Sequence, residues 1–257
     1  MIHFGPGGLG GVKEAISNLE EYHKLGLSAC EIEFVRQIYI RNEKDAEAIK
    51  LAAEKLGIAL SIHAPYYTNL NSADKKIIED TKKRILDCCA IGEKLGAYCV
   101  VFHAGYYGEM GEEETYENIK KQINEMMGEI KKKGWKIKLA PETMGKINVF
   151  GSIEQIARLC SETGCFACID FAHILARYKS VDYDKIKKLF GHFEKWHCHF
   201  SGIEYGEKGE KNHIKTTKEN WKKLISELPK NKEIVIINES PFPVEDSLEG
   251  LKIYEKN

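Results

Sequence analysis

The sequence predicts an α/β protein folded as a single (β/α)8 barrel, the TIM barrel, and three observations carry that prediction. Short apolar runs rich in β-branched residues alternate from end to end with longer amphipathic stretches. Four of the amphipathic stretches close on glycine, at Leu25-Gly26, Leu56-Gly57, Leu95-Gly96 and Lys133-Gly134. Glycine takes the left-handed conformation that ends a helix at no steric cost. Six of the apolar runs end in His, Asp or Glu, at spacings of 27 to 42 residues, a length that one strand–loop–helix–loop unit occupies.

Eight strands are expected, beginning near Ile2, Ala29, Ala59, Tyr98, Lys136, Phe166, Phe193 and Ile234. Helical patterns lie between them, among them Val12 to Leu25, Glu43 to Leu56, Ser72 to Leu95, Glu114 to Lys133 and Thr217 to Leu228. Parallel strands covered on both faces read as continuous apolar runs, as these do. Eight repeated units favour a closed barrel over an open doubly wound sheet. The chain has 257 residues, and a barrel of this kind needs roughly 250, so residues 1–257 are expected to form one domain.

Apolar residues make up 43% of the chain, enough for a sizeable core and against disorder. The net charge of −1, from 38 basic and 39 acidic residues, gives no global attraction to nucleic acid. No apolar run approaches the ~20 residues that span a bilayer. The opening Met1-Ile2-His3-Phe4-Gly5 lacks the basic and apolar regions of a signal peptide. A cytoplasmic protein is therefore expected, with its 8 cysteines as reduced, buried thiols. Cys165 and Cys168 have C-x-x-C spacing, but strand alternation would point them to opposite faces.

The six run-ending residues are His63, His103, Glu142, Asp170, His197 and Glu239. In a (β/α)8 barrel they fall at the C-terminal strand ends, where active sites are built. Nitrogen and oxygen donors of this kind suit Zn2+, Mn2+ or Fe2+. A single strand-end histidine is ordinarily a packed or hydrogen-bonded structural residue. Three carboxylates converging there without a cation, however, would be expensive to bury. Asp170-Phe171-Ala172-His173 adds a second candidate, and His197 and His199 share one strand face, with only one of the two expected to bind metal. His213 lies in a Gly- and Lys-rich stretch that reads as solvated loop. Glu31 and Glu33 share a face of the second strand, and with Arg36 are expected to form a structural ion pair at the barrel mouth, ahead of the alternative that they contact substrate.

Several motifs in order resemble the endonuclease IV family: His63-Ala64-Pro65-Tyr66-Tyr67-Thr68-Asn69-Leu70, His103-Ala104-Gly105, Glu142-Thr143, Cys168-Ile169-Asp170-Phe171-Ala172-His173, His197-Cys198-His199-Phe200-Ser201 and Asn238-Glu239-Ser240-Pro241. These are metal-dependent AP endonucleases within the xylose isomerase-like TIM barrel superfamily. The likeness runs from about His63 to Pro243. The opening Phe4-Gly5-Pro6-Gly7-Gly8 is similar to the first-strand turn of archaeal-like members.

The resemblance implies a zinc site of two or three ions, with Mn2+ or Fe2+ as substitutes. His63 and His103 would hold one ion, with Glu142 bridging to a second held by Asp170, His197 and Glu239. His173 and His213 would hold a third. Family members use an Asp two residues before the last histidine, and Lys211 stands there in this chain. That leaves the third site incomplete unless Glu210 substitutes. The implied activity is hydrolysis of abasic double-stranded DNA 5′ to the lesion by a monomer. Glu142 would orient the attacking water, and Glu239 would act as ligand and base. Tyr66 and Tyr67 would probe the DNA stack, or simply form a lid over the barrel.

The rival expectation is a sugar isomerase or epimerase of the same superfamily. Glu142, Asp170, His197 and Glu239 would form its one-metal set, and the two glutamates would move a proton on an α-hydroxy carbonyl. Near-neutral charge favours that rival, because a DNA enzyme usually carries a basic footprint. His63, His103 and His173 favour the nuclease. A catalytically silent barrel, supported only by Lys211, ranks behind both.

Overall fold

The structure is a computed structural model that describes residues 1–256. Eight parallel strands form the barrel: β1 (Ile2–Pro6), β2 (Ala29–Glu33), β3 (Ala59–His63), β4 (Cys99–Phe102), β5 (Lys138–Pro141), β6 (Cys168–Asp170), β7 (Lys195–Phe200) and β10 (Glu233–Asn238). They pair in two runs, β1-β10-β7-β6 and β2-β3-β4-β5. Single parallel bridges between Gly7 and Glu31 and between Glu142 and Cys168 close the two seams. The β1–β2 seam is tight. A Cβ on Gly5 would lie 1.8 Å from the Ala29 carbonyl oxygen, so only glycine lets β1 approach so closely.

Nine helices surround the barrel among the described residues: α1 (Ala15–Lys24), α2 (Glu43–Leu56), α3 (Lys75–Leu95), α4 (Glu112–Lys132), α5 (Ile153–Thr163), α6 (Phe171–Tyr178), α7 (Tyr183–Phe190), α8 (Lys218–Glu227) and α9 (Pro243–Tyr254). Their ends obey local chemistry. Asn42 and Asp74 cap α2 and α3 by accepting the backbone N–H of Lys44 and Lys76, and Ser152 and Gln155 form a reciprocal capping box on α5. The four glycines expected to stop helices all take left-handed φ values, between 67° and 83°. The (β/α)8 barrel read from the sequence is therefore the fold. Among the described residues no helix is long and apolar enough to cross a membrane.

Strands β5, β6 and β7 each begin two residues later than expected, and two differences bear on the site. The seventh strand begins at Lys195 rather than Phe193 and continues to Phe200, because β10 pairs with it residue by residue from Glu233–Lys195 to Asn238–Phe200. Its mouth-level inward residue is then His199, not His197. The stretch expected as solvated loop is an antiparallel hairpin, β8 (Gly202–Gly206) and β9 (Gly209–Ile214). Ile203 of β8 buries itself against Ala172 and Ala176 of α6, which anchors the hairpin beside the barrel mouth.

The main core fills the space between strands and helices. Trp221, fully buried, packs edge-on against Phe4 and Phe200 at centroid distances of 5.7 and 4.8 Å, fixing α8 to the barrel wall. Inside the barrel, apolar side chains, most of them small, fill the lower layers: Cys99, Val101, Ala140, Phe166 and Cys168 on one side, and Ala29, Val235 and Ile237 on the other. All eight cysteines are free and buried. Cys165 faces Cys160, Sγ to Sγ 3.7 Å, while Cys168 faces into the barrel, as strand alternation requires.

Candidate metal centre

Above the apolar layers the barrel interior becomes polar. His63 ends β3, His103 and Glu142 follow β4 and β5, Asp170 ends β6, His199 lies on β7 and Glu239 follows β10. The side chains of His63, His103, Glu142, His173, His213 and Glu239 line one cavity of about 410 Å³, with Tyr66, Glu33 and Glu210. The sequence-level expectation that one donor per unit reaches the C-terminal strand ends thus describes where these residues lie.

Glu142 is the hub. Its Oε2 lies 3.0 Å from His103 Nε2 and 3.4 Å from His63 Nε2. Its Oε1 lies 3.2 Å from His199 Nδ1 and 3.3 Å from His173 Nδ1. Burial raises this carboxyl's pKa, but the surrounding imidazoles outweigh burial and hold it well below the usual carboxylate range. Glu239 approaches the same nitrogen of His199, at 3.2 Å. Burial pushes its pKa up, and His199 brings it below the ordinary value. Two sets of donor atoms, His63/His103/Glu142 and Glu142/Asp170/His199/Glu239, each lie within 4.8 Å of one another and share Glu142.

Asp170 caps α6, its Oδ1 accepting the His173 backbone N–H at 2.8 Å. That cap aims the first turn of α6 back over the barrel and so delivers His173. Hairpin β8–β9 supplies the other side: Glu210 Oε2 lies 3.2 Å from His173 Nε2, and the His213 ring stands edge-on to that of His173 at 5.4 Å. Burial lifts the Asp170 carboxyl to about 6, with Glu142 and Glu239 adding to the shift and His173 opposing it.

His197 does not join this group. Two residues deeper on β7, its Nδ1 meets the Tyr98 hydroxyl at 2.5 Å and its Nε2 meets Glu31 Oε2 at 3.1 Å. Cys168, His197 and His199 also bring donor atoms within 4.8 Å, but both ring nitrogens of His197 are already committed. The two imidazoles share a face as expected, and the extension of β7 puts the upper one at the mouth. The two tyrosines separate as well. Tyr66 walls the cavity and stacks on His103 at 5.5 Å, whereas Tyr67 turns outward, hydrogen-bonds the Arg36 carbonyl and lies under Arg84. Glu31 and Glu33 do not pair with Arg36: Glu31 points to the barrel axis and Glu33 into the cavity. Lys211 is exposed and its neighbour Glu210 faces the site. Glu31, Glu33, His199 and Glu210 therefore had weaker roles in the sequence reading than their positions warrant. Alternation on β2 and β7 was the usable signal for the first three, and Glu210, expected only as a substitute for the aspartate that Lys211 replaces, lies 3.2 Å from His173 Nε2.

The donors fit a divalent cation. His63 and His173 each spend Nδ1 on a backbone carbonyl, Ala64 at 2.7 Å and Thr143 at 3.1 Å. Since Ser201 donates its own proton to the Gly202 carbonyl, it accepts from His213 Nδ1 at 2.7 Å. A ring nitrogen fixed this way leaves Nε2 as the ligand atom, the usual arrangement around bound metal. Asp170 Oδ2 and Glu210 Oε2 are buried carboxylate oxygens that make no hydrogen bond and only lie beside the His173 ring, at 3.1 and 3.2 Å, and a cation would satisfy both.

Proton competition follows. Although burial lowers the His63 pKa, the Glu142 carboxylate dominates and raises it to about 9. In the metal-free protein the charged ring thus adds stability that is complete below about 6.5 and disappears as pH rises through about 9. A cation must displace that proton. Zn2+ affinity is expected to climb between pH 6.5 and 9, and uptake at neutral pH to release protons, measured by calorimetry in buffers of different ionisation enthalpy. Affinity independent of pH over that window would exclude His63 as a ligand.

Residues 19–256 match the family described as xylose isomerase-like TIM barrel. An uncharacterized protein of Methanocaldococcus jannaschii is 34% identical over 233 residues, 86% of this chain and 84% of its own. The probable endonuclease 4 of Mycobacterium leprae is 26% identical over 197 residues, 70% of this chain and 75% of its own. Among solved structures, endonuclease IV of Thermus thermophilus superposes with a TM-score of 0.75 at 19% identity, covering 99% of this chain and 97% of its own. D-psicose 3-epimerase of Clostridium cellulolyticum gives 0.71 at 12% identity, covering 100% and 99%. The two superpositions show a common fold and nothing finer. Profile, relatives and barrel agree, and the chain belongs to the xylose isomerase-like TIM barrel family.

Proposed function

We propose that this protein is a metal-dependent phosphodiesterase of the endonuclease IV kind, cleaving abasic double-stranded DNA 5′ to the lesion. The observation that carries this reading is Glu142 with an imidazole pair on each oxygen. A carboxylate so placed suits a bridge between two cations, and a one-metal isomerase has no use for His63 and His103. Likeness to the mycobacterial probable endonuclease 4 adds support.

In this reading His63, His103 and Glu142 hold one ion, and Glu142, Asp170, His199 and Glu239 the second. His173, His213 and Glu210 form a third cradle, with Glu210 in place of the family's aspartate. Divalent ions there, Zn2+ first and Mn2+ or Fe2+ as alternatives, would neutralise phosphate charge and acidify a water for in-line attack. The chain's own groups do the rest. Glu142, held ionised, keeps both donor groups in register. Glu239, ionised at neutral pH, is the proton acceptor nearest the junction. Tyr66 closes the cavity edge on the β3 side and offers a stacking face.

The test is nicking of an abasic duplex by purified protein. Cleavage 5′ to the lesion is expected with Zn2+ or Mn2+, and His103→Ala is expected to abolish it. No nicking under any metal condition would end this reading. The second reading, a sugar isomerase or epimerase, rests on the completeness of Glu142, Asp170, His199 and Glu239 as a one-metal set on successive strands. It rests also on Glu33, a cavity-wall carboxyl lifted to about 7 by burial and Glu239, which suits proton exchange with a sugar. It predicts one ion per chain and no nicking.

A further inference from the structure

Beneath the metal centre lies a chain of side chains that the proposed reaction does not use. Glu31, fully buried on β2, reaches across the barrel interior to β7. Its Oε2 accepts from Ser61 Oγ at 2.7 Å and from His197 Nε2 at 3.1 Å. Its Oε1 lies 2.8 Å from His199 Nε2. These last two atoms are buried and misaligned for an ideal hydrogen bond, and the ion-pair contact between them is the closest charged contact either makes, with the Cys168 thiol also beside the His199 ring. Below, the Tyr98 hydroxyl faces His197 Nδ1 at 2.5 Å.

We propose that Glu31 is a positioning residue that holds the His199 ring with Nε2 protonated toward the barrel floor and Nδ1 presented to Glu142 and Glu239. The inference rests on the metal centre proposed above and adds a residue outside its ligand set. An ionised carboxylate only accepts, so each imidazole nitrogen turned to it must carry a proton. Tyr98 fits this arrangement: with Nε2 protonated toward Glu31, a neutral His197 ring offers Nδ1 as the acceptor for the Tyr98 hydroxyl. With its Nε2 proton committed to Glu31, Nδ1 is the nitrogen that reaches Glu142 and Glu239, both at 3.2 Å. Ser61, His197 and His199 bring three donors to one side chain. Glutamine has the same shape but one acceptor oxygen, and its NH2 would face a ring N–H.

Glu31→Gln tests this without any substrate. The expected result is a protein that still folds, with a lowered melting temperature, and that binds Co2+ or Zn2+ about 10–100-fold more weakly at the Glu142–Asp170–His199–Glu239 group. The Co2+ absorption spectrum should change, and the His63–His103 group should be unaffected. Glu31→Asp, which keeps the charge and withdraws it by one methylene, should recover part of the affinity and serves if the glutamine variant does not fold. Tyr98→Phe, which touches only His197, should lose less. Wild-type affinity together with a wild-type Co2+ spectrum in a folded Glu31→Gln protein would overturn the inference. If the wild type bound no divalent ion, the proposed function would fall separately. The ring 15N shifts of His199 in metal-free protein would still decide the point: a wild-type ring without a proton on Nε2, or one unchanged in Glu31→Gln, would refute it.

Discussion

Replacing Glu142 by alanine is expected to empty both donor groups at once and to destabilise the metal-free protein by about 3–5 kcal/mol at pH 6, the cost of stranding one side of a buried ion pair. Its two oxygens face His63, His103, His173 and His199, of which His103 is partly exposed at the cavity and the other three are buried. Without the carboxylate, His63 loses the partner that lifts its pKa to about 9 and must stay neutral or unfold the site to charge. The destabilisation should therefore shrink as pH rises through about 9, where the wild-type ring is already neutral and contributes nothing. Chemical denaturation of metal-free wild type and variant at pH 6 and pH 9.5 measures the difference. Glu142→Gln is the sharper control. It keeps the volume and part of the hydrogen bonding, so it should recover stability while metal analysis still shows both groups empty. An alanine variant as stable as wild type at pH 6 would mean that the imidazoles are not held by this carboxylate.

Much of this arrangement is legible in the sequence. His63, His103, Glu142, Asp170 and Glu239 each end an apolar run, and a parallel barrel can only bring such residues to one rim. Helix-stopping glycines placed the units correctly for the same reason: their backbone requirement is local. Errors arose where the deciding contact was distant. Whether His197 or His199 stands at the rim depends on how far β10 pairs with β7, through Asn238 and Phe200, and no residue near either histidine signals that length. Glu31 was read as a mouth ion pair with Arg36, because sequence distance conceals a partner 166 residues away on the opposite wall. The hairpin was read as solvated loop because its tip is Glu207, Lys208 and Gly209, and its one strong apolar anchor, Ile203, has no partner within the segment itself. Glu210 is legible only as the neighbour of Lys211, and the hairpin is what turns its carboxylate toward His173.

That hairpin is the most sensitive part of the site, and Gly209→Ala is expected to show it. Gly209 has φ +98, a conformation that L side chains rarely adopt, and a Cβ there would lie 2.1 Å from the Gly145 carbonyl oxygen and 2.9 Å from Lys146 Cα. Gly145 is constrained in turn: its own Cβ would meet Glu210 Oε2 at 2.7 Å and His173 Cδ2 at 3.1 Å. Two facing glycines thus let β8–β9 sit down on the loop after β5. Adding one methyl obliges the hairpin to rise by about 1 Å, a misplacement that can cost about 10²-fold in rate. Backbone strain should lower stability by about 1–3 kcal/mol. Glu210 and His213 move with the hairpin, whereas Glu142 and its neighbours stand on barrel strands and do not. Metal analysis should therefore show one ion fewer than wild type, with the two Glu142-linked groups still filled and nicking reduced about 100-fold. Unchanged nicking and an unchanged ion count would place Glu210 and His213 outside the working site. The third cradle would then be a structural contact between His173 and the hairpin, and Lys211 a harmless departure from the family's aspartate.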